Sequence, residues 1–445
     1  MQEAERIANA GKLAEAESLC RDVLRSAPEL PEAMALLGFL LARQNQFDAA
    51  QAQLEAAITR RPTVPQWHFE LRQIHRRAYR MDSALAEARE AVRLDPSGVQ
   101  YRNGLAQIHI DRGETDAGLA CILDALARAP EDTESHLSLA HALLAAGNYR
   151  PGWLEYEWRF RAPLYRNALP RITRPCWNGM ALPGRRLLVA ADQGFGDAFQ
   201  FARYVRLAAE RCAGIILLCR TPQVALFSRL PGVERCVTDI TQAGEHAAFC
   251  WMASLPHVFG TELATIPATT PYVDADPVRV AHWRDALAGL LPAGGLRVGL
   301  VWSGNPENTS DWRRSVPLSR LRGLALERVR LVSLQVPVRE HDQAEADSLG
   351  VLDLSDRLTD FGETAAVIAN LDLVVTVDSA VAHLAGAMGR PAWVLIHQPA
   401  DWRWLTGRTD SPWYPSLRLF RQPVAGDWET PIAALEQALA LLAGR

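Results

Sequence analysis

The sequence predicts an array of paired helices joined to an α/β region built as two halves, and three observations carry that prediction. Proline and small residues recur every 34 positions as far as about residue 152. A stretch rich in Trp, Arg and Pro then breaks the pattern. From Arg185 onward, short apolar runs alternate with amphipathic stretches, the grammar of parallel strands and crossover helices.

The repeat comes first. Pro28, Pro62, Pro96 and Pro130 stand 34 apart, as do Leu13, Phe47, Met81, Thr115 and Tyr149, and likewise Ala16, Ala50, Ala84, Gly118 and Gly152. A small residue lets two helices approach closely, the bulky residue three before it plugs the gap, and proline ends the second helix of each pair. A helix-turn-helix solenoid over residues 1–152 is expected. Its concave surface suits peptide or protein segments, and a purely structural or dimerising extension is the alternative.

Residues 153–184, which include WRFRAPLYRNALPRITRPCW, show no helical period and read as a connector. Beyond them RLLVAAD, GIILLC, RVGLVWSG, RLVSLQ, DLVVTVD and PAWVLI are candidate strands. Candidate helices are 198–212, 277–290, 362–369 and 379–388, with PIAALEQALALLAG as a closing helix. The helix-like segment around AHWRDALAGLL joins two groups of such units. Residues 185–295 and 296–445 are therefore expected to form two Rossmann-like halves facing a cleft, with a ligand outside the carboxyl ends of the strands.

Composition narrows the chemistry. The 445 residues are 49% hydrophobic and 22% charged, with 29 Gly and 27 Pro, which excludes a disordered or collagen-like chain. A net charge of −4 supplies no basic field for nucleic acid. Lys12 is the one lysine, so Schiff-base, Walker-type and kinase-type lysine chemistry is excluded from the α/β region, and an anion there must be held by arginine, backbone amides or helix ends. Seven cysteines without a C-x-x-C pair read as reduced thiols of a cytoplasmic protein. Glu3 and Glu5 stand where a signal peptide needs basic and then apolar residues, and no apolar run reaches the ~18 residues of a membrane span.

Four loops could carry chemistry. In LLVAADQGFGDAFQFARY a strand runs into Gly194 and Gly196, which allow close backbone approach, and then into a helix with free amides. The third glycine of a dinucleotide fingerprint is replaced by Phe199, which argues against a dehydrogenase. Asp197 could act as a general base toward a hydroxyl, or as an N-cap of the helix 198–212; Asp192 reads as a loop hydrogen-bond acceptor. In DLVVTVDSAVAHLAGAMGRPAWVLI a buried strand ends at Asp378, and Ser379 opens a helix whose amides and dipole suit a diphosphate. His383 lies one turn in, as a phosphate or ribose donor or as a satisfied core residue. In GLVWSGNPENTSDWRRSVPL a strand ends in Ser303, Gly304 and Asn305 before the loop delivers Arg313 and Arg314, either counter-charges for a diphosphate or a solvated pair. In HQPADWRWLTGRTDSPWYPSLRLFRQ, Trp402, Trp404, Trp413 and Tyr414 read as packing, with Arg403 the ligand contact.

The 34-residue combs resemble the tetratricopeptide repeat. From about residue 150, the strings EYEWRF, DQGFGDAFQFARY, SLP, WSGNP, RSVPL, VDSAVAHLAGAMGRP, DWRWL and SPWYPSLRLFRQ fall in the order of glycosyltransferase family 9, the superfamily of the lipopolysaccharide heptosyltransferases. The resemblance implies a GT-B fold and inverting, metal-independent transfer of a sugar from a nucleotide donor, with no cofactor. By position it implies that Asp197 is the base that takes the acceptor proton. Arg314 then stands where heptosyltransferases keep a phosphate-binding lysine, and Asp378, Ser379 and His383 form the donor-binding turn. The arginine in place of lysine and the short first half set this chain apart from a lipid A core enzyme. A protein or glycan acceptor would meet the repeat domain, and the alternative is a non-catalytic scaffold with a degenerate sugar-binding half.

Overall fold

The computed structural model describes residues 2–444, apart from the side chain of Leu164. Packing separates two compact units, Met1–Ala142 and Leu143–Arg445.

The first unit is all helical. Helices Leu13–Ser26, Pro31–Arg43, Phe47–Arg60, Pro65–Arg77, Met81–Leu94, Val99–Asp111 and Thr115–Arg128 alternate with tight turns. Leu13, Phe47, Met81 and Thr115 each open a helix, and Pro28, Pro62, Pro96 and Pro130 fall two residues past a helix end, where the missing amide costs nothing. Ala16, Ala50 and Ala84 are fully buried. A Cβ on Gly118 would stand 2.7 Å from Ile110 Cγ1, so the small-residue comb is where paired helices touch. A further comb emerges in the backbone: Gly11, Asn45, Tyr79, Gly113 and Gly147 all have φ between 57° and 83°. That left-handed turn links successive helices, and Asn45 and Tyr79 stand in it among glycines, so residue type concealed it.

The joints between repeats differ. Leu36, Leu37, Leu40, Leu54, Trp67 and Leu71 share one apolar cluster across the early repeats. Further along, Arg76 and Asp111 form a buried ion pair, and Arg72 Nη1 donates to the Gly104 carbonyl at 3.1 Å.

The second unit holds two parallel sheets. Strands β1 Leu182–Ala190, β2 Cys212–Leu218, β3 Val233–Val237 and β4 Ala248–Trp251 form one, in the order β3-β2-β1-β4. The other comprises β5 Leu296–Val301, β6 Val329–Ser333, β7 Leu373–Val377, β8 Ala392–Ile396 and β9 Leu417–Arg421, in the order β6-β5-β7-β8-β9. All sheet pairings are parallel, so each sheet needs crossovers on its faces and reverses direction once, between β1 and β4 and between β5 and β7.

Three strands escaped sequence reading. VERCV is a half-exposed edge strand, AFCW spans only four residues, and LRLFR alternates charge because β9 lies at an edge, so none has the apolar run of a central strand. The helix expected over 198–212 is two helices, Phe195–Phe201 and Arg203–Ala209, which moves its start three residues upstream. The connector, expected without helical period, contains the end of helix Tyr149–Tyr156, the turn Glu157–Arg161 and helix Pro163–Ala168. Its aromatics follow the core: Trp153 packs edge-on against Trp402 and Trp413, and Trp413 Nε1 donates to Tyr149. Trp402, Trp404, Trp413 and Tyr414 are all buried, as packing requires. Described cysteines are free; Cys20, Cys219 and Cys250 are buried and Cys176 is exposed.

Candidate active site

Both sheets present polar groups at the carboxyl ends of the strands beside the reversal point, where open α/β sheets hold ligands. In the first sheet Asp192 follows β1. Its Oδ1 accepts from Ala253 N at 3.0 Å and its Oδ2 from Arg159 Nη2 at 3.2 Å, while Arg159 also donates to Glu157 and Ser254. Burial raises the Asp192 carboxyl above its ordinary pKa against the pull of Arg159. This carboxylate is a fully bonded loop acceptor.

Asp197 lies one step further on, at the third position of helix Phe195–Phe201, and its Oδ2 accepts from Gly194 N at 3.0 Å. The N-cap is therefore Gly194. Asp197 Oδ1 meets Arg403 Nη2 from the other half. Gly196 makes that approach feasible, because a Cβ there would lie 2.7 Å from His383 Cδ2 and 3.4 Å from Ala380 Cα. The close approach that this glycine permits is to the facing helix.

In the second sheet, the reversal between β5 and β7 sets Trp302-Ser303-Gly304 against Asp378-Ser379. Arg314 spans the gap: its Nε donates to Asp311 Oδ1 at 3.1 Å and its Nη1 to the Asp378 carbonyl at 3.3 Å. A Cβ on Gly304 would come within 2.5 Å of Arg314 Nε, so glycine is what lets the guanidinium pass. Asp311 also accepts from Ser315 Oγ at 2.8 Å and from Arg339 at 3.2 Å, and Arg339 donates to the Gly304 carbonyl at 3.0 Å. Ser303 is buried; its amide donates to Gln335 Oε1 at 3.1 Å, but its hydroxyl has no partner. Asn305 is exposed and accepts from Glu307 N at 3.1 Å, a turn-stabilising role at the rim. Arg313 is buried beside Trp312, its guanidinium 5.1 Å from the ring centroid.

Helix Ala380–Ala387 starts at the carboxyl end of β7. Ser379 is its N-cap, yet its hydroxyl pairs with Thr376 Oγ1 at 2.9 Å and leaves the first helical amides uncapped. His383 is 4% exposed, stacks on Trp404 with centroids 5.2 Å apart, and pairs through Nδ1 with the Tyr414 hydroxyl at 2.8 Å. Burial, reinforced by Arg403, pushes it down to about 3, so the ring is neutral and its 4.0 Å approach to Asp378 Oδ1 is not an ion pair. Burial and the neighbouring Asp401 push Asp378 up to about 6. His397, at the end of β8, is held down at about 4, chiefly by burial.

Arg403 sits in the turn Trp402–Trp404, which Asp401 caps by accepting from the Arg403 amide at 3.0 Å and from its Nη1 at 2.9 Å. Burial opposes the charge, but Asp197 and Asp401 outweigh it and raise the guanidinium well above its ordinary pKa. Its Nε has no partner, and neither does the buried Ser303 Oγ, whereas the Trp404 side chain donates to Asp378. Buried polar atoms are bonded in the great majority of cases, so each unbonded one here keeps hydrogen-bonding capacity to spare.

Sequence reasoning passed over Asp311, Gln335, Arg339, His397 and Asp401. Asp311 and Asp401 lie inside the quoted loops, close to Arg313 and Trp402, whereas Gln335 and Arg339 follow β6 with no local motif. Gln200, fully buried on the Asp197 helix with neither amide atom bonded, was equally unmarked.

Comparison with known proteins is consistent with two parts. Residues 9–72 and 103–150 match tetratricopeptide-repeat models, and residues 353–401 match the model of glycosyltransferase family 9 (heptosyltransferase). Protein FlbA of Caulobacter vibrioides is 33% identical over 343 residues, covering 70% of this chain and 56% of FlbA, so the chain spans about half the length of that curated relative. Among solved structures, a thermophilic TPR protein of Thermus thermophilus shares 19% identity over 37% of this chain and 89% of its own, with a TM-score of 0.34. MamA from Desulfovibrio magneticus shares 15% over 38% and 94%, with a TM-score of 0.33. The chain combines tetratricopeptide repeats with a glycosyltransferase-like region. Among the described residues no helix is long and apolar enough to cross a membrane.

Proposed function

We propose that this protein is a GT-B glycosyltransferase that moves a sugar, with inversion, from a nucleoside diphosphate donor to an acceptor hydroxyl. The carrying observation is the pair of unbonded buried polar atoms, Ser303 Oγ and Arg403 Nε, in the half that also holds Arg314 and the uncapped helix start at Ala380. Negative charge grows on the leaving diphosphate in the transition state, so guanidinium groups and amides fixed there lower the barrier. Arginine takes the part that a lysine or a metal would play.

In this reading residues 296–445 bind the donor and residues 185–295 the acceptor. Asp197 takes the acceptor proton; Asp378, Ser379 and His383 line the donor turn, with His383 neutral and able to hydrogen-bond without adding charge. The tetratricopeptide unit, a class that usually binds protein segments, recruits the acceptor. A thermal-shift panel of UDP, GDP, ADP, CMP and dTDP tests the donor site: at ~100 times Kd a bound nucleotide stabilises by ~2.7 kcal/mol, and a non-catalytic scaffold shows no shift with any of them. Replacing Asp197 by Asn should then lower transfer by orders of magnitude, and unchanged turnover would refute its role as base.

A further inference from the structure

Among the charged contacts between the two halves of the second unit, the one between Asp197 and Arg403 lies at the centre of the site and occupies groups that the proposed reaction needs. Arg403 Nη2 holds Asp197 Oδ1, Nη1 holds Asp401, and Nε is buried without a partner. The guanidinium lies 4.2 Å from the centroid of the Trp402 ring, and the backbone after it is clamped by Arg421, which donates to the Leu405 carbonyl at 3.1 Å and to the Trp404 and Arg408 carbonyls. Arg403 is therefore fixed in its own half. Asp197 comes to it from the other half, on a helix so close that Gly196 leaves no room for a methyl group against His383.

An anion bonded at the free Nε would stand beside two carboxylates, Asp197 and Asp401. Asp401 is tied to the Arg403 backbone and stays. Asp197 is bound only through its side chain and the Gly194 amide, and it can leave. A carboxylate oxygen that already accepts from a guanidinium is also not free to accept from a substrate hydroxyl.

We infer that Arg403 is a partner-exchanging residue: it holds Asp197 in the empty protein and releases it to a nucleoside diphosphate, so that the base is freed only when the donor is in place. This rests on the proposed donor site. Donor would then bind before acceptor, and the empty enzyme would not deprotonate acceptor or water.

The sign of one variant separates this from simple contact. Breaking the pair from the Asp197 side removes a competitor, so Asp197→Asn should bind diphosphate more tightly than the wild type. Binding of UDP, GDP, ADP and dTDP is measured by titration calorimetry on the full chain and on D197N, R403Q, R403K and the D197N/R403Q double variant. The expected result is at least ~threefold tighter binding by D197N and at least ~tenfold weaker binding by R403Q, with partial recovery in R403K. The double variant should match R403Q, because Asp197 acts on the ligand through Arg403. D197N binding equal to or weaker than wild type overturns the exchange while leaving the donor site standing. Absence of binding by every variant, with unfolding curves confirming that each is folded, removes the donor site and the exchange with it.

Discussion

The second unit places a polar cluster at the reversal point of each sheet, and the two differ in how completely they are bonded. Beside β1 and β4, Asp192, Arg159, Glu157 and Ser254 satisfy one another and the Ala253 amide. Beside β5 and β7, Arg314 is paired but Ser303 Oγ and Arg403 Nε are not. The same topology thus holds once a closed knot around Asp192 and once a more open socket around Arg403, with Gln200 on the Asp197 helix the unbonded group nearest the knot.

The largest effect should come from untying the knot. Arg159→Leu strands Asp192, whose side chain is 1% exposed, and should cost ~3–5 kcal/mol in chemical unfolding. Arg314→Gln in the socket should cost under ~1 kcal/mol, because its side chain is 19% exposed, while weakening diphosphate binding about tenfold. Equal stability losses would erase the distinction.

Gly196→Ala tests how tightly the halves close. Its Cβ overlaps His383, so ~1–3 kcal/mol of destabilisation is expected, whereas Gly194→Ala meets only Asp197 Oδ2 at 3.0 Å and should cost less. Differential scanning calorimetry of both variants decides.

Acidity gives a third, smaller effect. Asp378 ionises at about 6, above its ordinary 3.8, so it carries its charge in the socket at pH 7.5 and loses it by pH 5. An Asp whose folded value is raised binds more protons folded than unfolded between those values, so its contribution to stability falls as pH rises through that window. Asp378→Asn should bind diphosphate more tightly than wild type at pH 7.5, and the ratio should approach one at pH 5; a pH-independent ratio would contradict this. The smallest effect is Ser303→Ala: removing a hydroxyl that bonds nothing should change stability by less than ~0.5 kcal/mol while weakening diphosphate a few-fold.

The repeat was legible because it is written in residue types that packing demands: proline past a helix end, alanine or glycine at a helix contact. The left-handed turn comb was not, since Asn45 and Tyr79 occupy the same backbone state as Gly11 and Gly113. Central strands such as LVVTV announced themselves by apolar runs, while β3, β4 and β9 did not, being short or at edges. At the site, loops adjoining strand ends pointed to Asp197, Arg314, Asp378 and Arg403. Nothing local could reveal that Asp197 and Arg403, 206 residues apart, meet, or that Arg339 and Gln335 brace the Gly304 loop. Those relations come from the way the second unit folds onto itself.

In the helical unit, the joint tying Arg76 to Asp111 and Arg72 to the Gly104 carbonyl sits next to one made of leucines. Oily joints loosen on cooling, whereas burial lifts the Asp111 carboxyl above its ordinary pKa, so the folded joint takes up a proton before the unfolded chain does and contributes less to stability as pH rises. The array therefore sets two kinds of joint side by side, and cooling should weaken the leucine one while acidification spares the one at Asp111.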